Sequence, residues 1–150
     1  MNIYLGADHQ GFYLKEKVFA YLAKNNYDVH DVGGTELDPD DDFPDFAQMA
    51  ATQVIGDTHD DPRAILICGG GQGMAMAANR FTSIRASVIW DAKEARMTRH
   101  DIDSNILCLP ARVVEDNDAL WKGIIETWLN TPFANSPRYR RRNAQIDELG

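Results

Sequence analysis

Ile65-Leu66-Ile67-Cys68-Gly69-Gly70-Gly71-Gln72-Gly73-Met74 is the stretch on which the reading of this chain turns. Its apolar run has no polar alternation, as expected of a strand covered on both faces. The glycines at 69, 70, 71 and 73 end that strand in a turn whose backbone a ligand can approach closely. Consecutive N–H groups in such a turn, at the start of a helix predicted over 74–81, form an anion-binding nest. No Lys-Ser/Thr follows, so this is not a Walker loop, and the spacing misses the dinucleotide fingerprint. Glycine turns of this kind also serve purely structural ends. Cys68 is what distinguishes this one, because a thiol at the mouth of a helix is biased toward the reactive thiolate.

Strand and helix patterns alternate on either side of this stretch. Short apolar runs predict strands over 3–7, 27–32, 64–68, 86–90 and 106–109. Helical spacing predicts helices over 11–24 (Phe12, Leu14, Val18, Phe19, Leu22), from Pro44, over 92–99, over about 116–129, and after Pro137. Such alternation predicts a single α/β domain over 1–150, a three-layer α/β/α sandwich with a five-stranded parallel sheet. Ligands of open sheets bind beyond the carboxyl ends of the strands. That rule selects loops 8–11, 33–43, 69–73, 91 and 100–105 as the functional rim.

Composition narrows the function. Charged residues make up 25% of the 150 and the formal net charge is −8, which disfavours nucleic acid and anionic membrane as partners. No run approaches the roughly 20 apolar residues of a membrane span. The chain reads directly into a strand with no basic leader, so no secretion signal is expected. The two cysteines, Cys68 and Cys108, lie in strand-like stretches, which suits a reducing, cytoplasmic setting. The four histidines show no paired zinc spacing, so no metal is expected. The charge is uneven: Asp38, Asp40, Asp41 and Asp42 crowd one loop, and Arg138, Arg140, Arg141 and Arg142 crowd the last helix. Arg138 and Arg142 share a helical face, and paired guanidinium groups suit one small phosphate. Arg112, just past the fifth strand, is placed to join them. In Gly6-Ala7-Asp8-His9-Gln10-Gly11, the first strand ends in a carboxylate for hydroxyl groups and an imidazole for a phosphate, or in a helix cap with an exposed histidine beside it.

The Gly-x-Asp-His-x-Gly start, the strand-Cys-Gly-x-Gly-x-Gly turn with Ala77-Ala78-Asn79-Arg80, Asp103-Ser104-Asn105-Ile106-Leu107 and Ala111-Arg112-Val113-Val114 occur in one order. Together they resemble the ribose-5-phosphate isomerase B / galactose-6-phosphate isomerase family, over nearly the whole chain to about Arg142. The resemblance implies a Rossmann-like fold, no cofactor and a phosphosugar substrate. It also implies a homodimer, or dimer of dimers, whose sites draw on both subunits, with the helix at about 137–149 at the subunit interface. By that resemblance Cys68 moves a proton between C1 and C2, and the amides of Gly69, Gly70, Gly71, Gln72 and Gly73 hold the enediolate. Asp8 binds hydroxyls, His9, Arg112, Arg138 and Arg142 bind phosphate, and Phe43 lines the cleft. Met74 stands where one branch of the family has a catalytic glutamate. Asp101-Ile102 stands where relatives carry a ring-opening His-Asn, with His100 one residue away, Gly70 replaces a threonine, and Phe43 a tyrosine. Asp101 is expected to face the substrate, with His100 as the alternative ring opener. The implied reaction is ribose 5-phosphate to ribulose 5-phosphate. The same chemistry on a galactose 6-phosphate or allose 6-phosphate type of sugar, or mere binding of a phosphosugar, are the rivals.

Overall fold

Five strands build the centre of the molecule: β1 (Asn2–Ala7), β2 (Asp28–Gly33), β3 (Arg63–Cys68), β4 (Ala86–Val88) and β5 (Ile106–Pro110). The computed structural model describes residues 1–150. All strand pairs are parallel, in the order β2-β1-β3-β5-β4. Around them run α1 (Phe12–Lys24), α2 (Phe43–Gly56), α3 (Gln72–Ala78), α4 (Ala92–Ile102), α5 (Ala111–Val114), α6 (Asp118–Asn130) and α7 (Pro137–Asp147).

The three layers follow from the alternation of side chains along β3, all six of whose residues are buried. Ile65 and Ile67 face a core shared with Leu14, Val18 and Leu22 of α1 and with Trp121, Ile125 and Trp128 of α6. Ala64, Leu66 and Cys68 face the other core, with Ala47, Ala50 and Ala51 of α2 and Met74 and Ala78 of α3. Arg63 opens the strand although it is charged, because its Nη1 donates to the carbonyls of Trp128 (2.9 Å) and Leu129 (3.2 Å) at the end of α6. Those carbonyls have no partner within the helix, and a cation suits that end.

The predicted elements are all present, with corrected bounds. α3 begins two residues early, at Gln72, inside the glycine turn, and β4 stops at Val88. α4 runs on to Ile102, so His100 and Asp101 belong to a helix and not to a rim loop. Phe19, expected in the core, is among the exposed large side chains.

Lys15 is fully buried in α1 and ties that helix to the end of β2. Its ammonium donates to the carboxylate of Asp31, to the carbonyl of Gly34 (2.8 Å) and to that of Gly33 (3.2 Å). Three acceptors around one point charge meet the cost of burying it. Lys15→Met keeps the bulk but orphans those acceptors. In urea unfolding it is expected to lose on the order of 2–4 kcal/mol, whereas Lys17→Met on the exposed face of the same helix changes stability by less than about 0.5 kcal/mol.

Candidate active site

The sheet changes direction between its first and third strands, since β1 leads leftward to β2 while β3 lies on its right. A crevice opens at the carboxyl ends of such a pair. Ala7 pairs with Ile67, so Asp8 and Cys68 leave their strands side by side, and Asp8 N–H donates to Ile67 O at 3.3 Å. Gly11 closes the base of this crevice, where a Cβ would collide with the carbonyl of Ile67.

Beyond Cys68 the chain turns through Gly71 at φ +71°, a left-handed conformation that favours glycine. The turn carries the Gly71 N–H back onto the thiol, which it reaches at 3.2 Å from Sγ. The N–H groups of Gly70, Gln72 and Gly73 find no acceptor within the chain. The turn therefore presents one sulfur, held by one amide, beside three further amides ready for an anion. Cys68 is 6% exposed, so a small group reaches it only from the crevice. Cys108 is fully buried two residues along the neighbouring strand, and burial pushes its thiol well above the usual range.

The crevice wall is built by the same chain. Arg112 anchors its backbone N–H on Gly69 O (3.0 Å) and lays its guanidinium over the turn, where a Cβ on Gly70 would sit 2.9 Å from Nη2. Its Nη1 donates to Gln10 Oε1 at 3.2 Å. The ring of Phe43 covers Gly73, 2.7 Å from where a Cβ would be. Asp8 caps the turn, its Oδ1 accepting from Gln10 N–H (2.9 Å) and Gly11 N–H (3.1 Å), while Oδ2 takes no bond from the chain. Burial raises the carboxyl pKa of Asp8. His9 is gripped by Asp41, whose Oδ1 accepts from its backbone N–H (2.9 Å) and its Nδ1 (2.7 Å). That hydrogen bond raises the imidazole pKa.

Asp8, His9 and Asp41 each bring a ligand atom within 4.8 Å of the others, the one grouping able to hold a cation. One oxygen of each carboxylate and the imidazole Nδ1 are already engaged within the chain, however. Asp41 Oδ1 takes both His9 donors, so Nδ1 carries a proton and not a metal, and Asp8 Oδ1 takes two amides.

Four expected site residues lie elsewhere. Segment 100–105 precedes β5, so it sits at the amino-terminal edge of the sheet: Ala64 N–H donates to Asn105 O (3.0 Å), whereas Cys68 pairs with Pro110. Four residues of β3 separate the two levels, about 13 Å. His100 and Asp101 join each other there, Nδ1 to Oδ1 at 2.7 Å. α7 packs on the same end of α4, through Tyr139 against His100 (5.9 Å between rings) and Asn143 Nδ2 donating to Ile102 O (2.9 Å). Arg138 and Arg142 are exposed on it. Within one chain, then, His100, Asp101, Arg138 and Arg142 are remote from the crevice, because α4 runs antiparallel to the strands it follows. The sequence reading also passed over Gln10 and Asp41. Gln10 lies inside the Asp-His motif but carries no charge, and nothing in the pattern separates Asp41 from its neighbouring aspartates.

Residues 3–146 match the family described as Ribose/Galactose Isomerase. A probable ribose-5-phosphate isomerase B of Mycoplasma pneumoniae is 37% identical over 144 residues, covering 96% of this chain and 91% of its own length. The crystal structure of a ribose 5-phosphate isomerase from Thermotoga maritima is 37% identical with a TM-score of 0.91, covering 99% of this chain and 98% of that one. Ribose-5-phosphate isomerase B of Mycoplasma genitalium, solved with bound ribulose 5-phosphate, is 34% identical with a TM-score of 0.89, covering 97% and 93%. The sheet, the cysteine above its glycine turn and these relatives agree: the chain belongs to the ribose/galactose isomerase family.

Proposed function

We propose that this protein interconverts ribose 5-phosphate and ribulose 5-phosphate, with Cys68 moving a proton between C2 and C1 through a cis-enediolate. The observation that carries the reading is the turn itself, with Sγ fixed by Gly71 N–H and the amides of Gly70, Gln72 and Gly73 beside it. The Mycoplasma genitalium relative holding ribulose 5-phosphate favours the five-carbon sugar over six-carbon rivals. Proton transfer proceeds as follows. Cys68, as its thiolate, takes the C2 proton of the open-chain aldose. Negative charge then builds on the carbonyl oxygen, where fixed amide donors stabilise it without reorganising. The hydroxyl proton on the C2 oxygen passes to the C1 oxygen, the same sulfur returns its proton to C1, and the C2 carbonyl of the ketose results. Asp8, with Oδ2 free, accepts from a sugar hydroxyl, and Phe43 walls the cleft. Arg112 and His9 meet the phosphate.

The remaining residues come, in this reading, from a second copy. A two-fold dimer sets one edge of a subunit against another. It brings His100, Asp101, Arg138 and Arg142 of one chain over the crevice of its partner, with α7 at the interface. Two features support this. The arginines of α7 have no acid of their own chain to pair with, and the acidic loop and the basic helix stand at opposite ends of one molecule. Dimer or dimer of dimers, the repeating unit is the pair. With both cysteines free, we place the enzyme in the cytoplasm.

Cys68→Ala is expected to lower kcat by on the order of 10³-fold while a non-reacting phosphosugar analogue still binds in calorimetry. Cys108→Ala should keep its turnover and lose about 1 kcal/mol of stability. Full turnover in Cys68→Ala would exclude the cysteine as base. The shared site has its own test, in which inactive Cys68→Ala and Asp101→Asn chains are unfolded together and refolded as a mixture. Random pairing makes half the dimers mixed, each with one intact site, so about a quarter of parental activity returns. No recovery, with mixed dimers present, would mean that each chain carries its site alone.

A further inference from the structure

Placing an acidic loop beside a phosphate site is electrostatically adverse, and the structure shows how one of its carboxylates is offset. Asp41 lies 32 residues from His9 in sequence, yet its Oδ1 accepts both the backbone N–H and the ring Nδ1–H of that residue. Its side chain is 11% exposed, against 31% for the imidazole. Two bonds to one oxygen set the backbone and the ring of His9 together, so neither χ angle is free. With Nδ1 taken, Nε2–H is the ring's remaining donor.

We propose that Asp41 is a positioning residue: it locks His9 in one tautomer and one orientation, so that Nε2–H meets the phosphate of the substrate as part of an imidazolium. The proposal rests on the reading of His9 as a phosphate ligand. Its logic is that of carboxylate-oriented histidines elsewhere, where the hydrogen bond made by one ring nitrogen decides what the other presents. The groups facing His9 are Asp8 at the end of β1 and Asp38 and Asp41 in the loop before α2, all carboxylates. They favour the charged ring, and burial opposes them only in part. The sign follows. The imidazole pKa is raised, so the charged donor is complete below that pKa and is lost as pH rises through it. Arg112 keeps its charge throughout and continues to bind, so affinity for the phosphosugar weakens at high pH without vanishing.

The experiment compares the parent with Asp41→Asn and Asp41→Glu. His9 is titrated by NMR with and without inorganic phosphate, and steady-state rates are measured across about pH 6–9. In Asp41→Asn the His9 midpoint should fall toward its ordinary value of 6.5. KM for ribose 5-phosphate should rise on the order of tenfold near neutral pH, with kcat within about twofold of the parent. The slow rate on unphosphorylated ribose should stay the same, and Asp41→Glu should recover part of the loss. An unchanged His9 midpoint in Asp41→Asn would overturn the proposal, as would a fall in kcat that is equal on ribose and ribose 5-phosphate. A parent whose His9 signals ignore inorganic phosphate would overturn the ligand assignment beneath it, a failure seen before any substitution is made.

Discussion

Gly71 bears the constraint that the rest of the site depends on. A side chain there is opposed twice, by the positive φ and by space: a Cβ would lie 3.2 Å from both Pro110 N and Val88 Cγ1. Both neighbours are structural, one from β5 and one from β4. The turn is thus pressed onto the sheet, and its N–H groups cannot swing away from the crevice. This is preorganisation in the electrostatic sense, since donors already aimed at a developing charge need not reorient when it forms. The same turn fixes the sulfur through Gly71 N–H. The proposed base and anion hole are one segment, so nothing that shifts one leaves the other in place.

A second constraint is topological. Every helix that follows a strand in a parallel sheet runs back toward the amino-terminal edge. α4 therefore carries His100 and Asp101 away from Cys68, and α7, packed on the end of α4, carries Arg138 and Arg142 with them. One chain cannot place both groups around one sugar. In the proposed dimer this separation is what makes the site bipartite: the amide-rich edge handles carbon and hydroxyl chemistry and meets the phosphate through His9 and Arg112, and the basic edge of a partner adds Arg138 and Arg142 to that phosphate.

The parallel sheet and the candidate crevice were legible because their signals are local. An unbroken apolar run, a glycine cluster and a strand-ending Asp-His pair each follow from the backbone demands of a few adjacent residues. The error over 100–105 was of another kind. Its residues have the chemistry of a rim, and only the direction of α4, set by three further helical residues up to Ile102, shows that they lie at the wrong edge. Asp41 and Gln10 were missed because their roles arise from contacts across 32 and 102 residues, with His9 and Arg112 respectively. No period or spacing encodes such contacts. Lys15 illustrates the same limit from inside the core, as a lysine at helical spacing reads as a solvated face until Asp31 and two carbonyls close around it.

Whether Cys68 transfers the proton is most directly read from hydrogen isotopes. With ribose 5-phosphate in deuterated water, the account predicts deuterium entering at C2 of the recovered aldose and at C1 of the ketose. Exchange should be abolished in Cys68→Ala and unaltered in Cys108→Ala. Deuterium entering at the parental rate in Cys68→Ala, or isomerisation in the parent through hydride transfer with no solvent exchange under any condition, would contradict it.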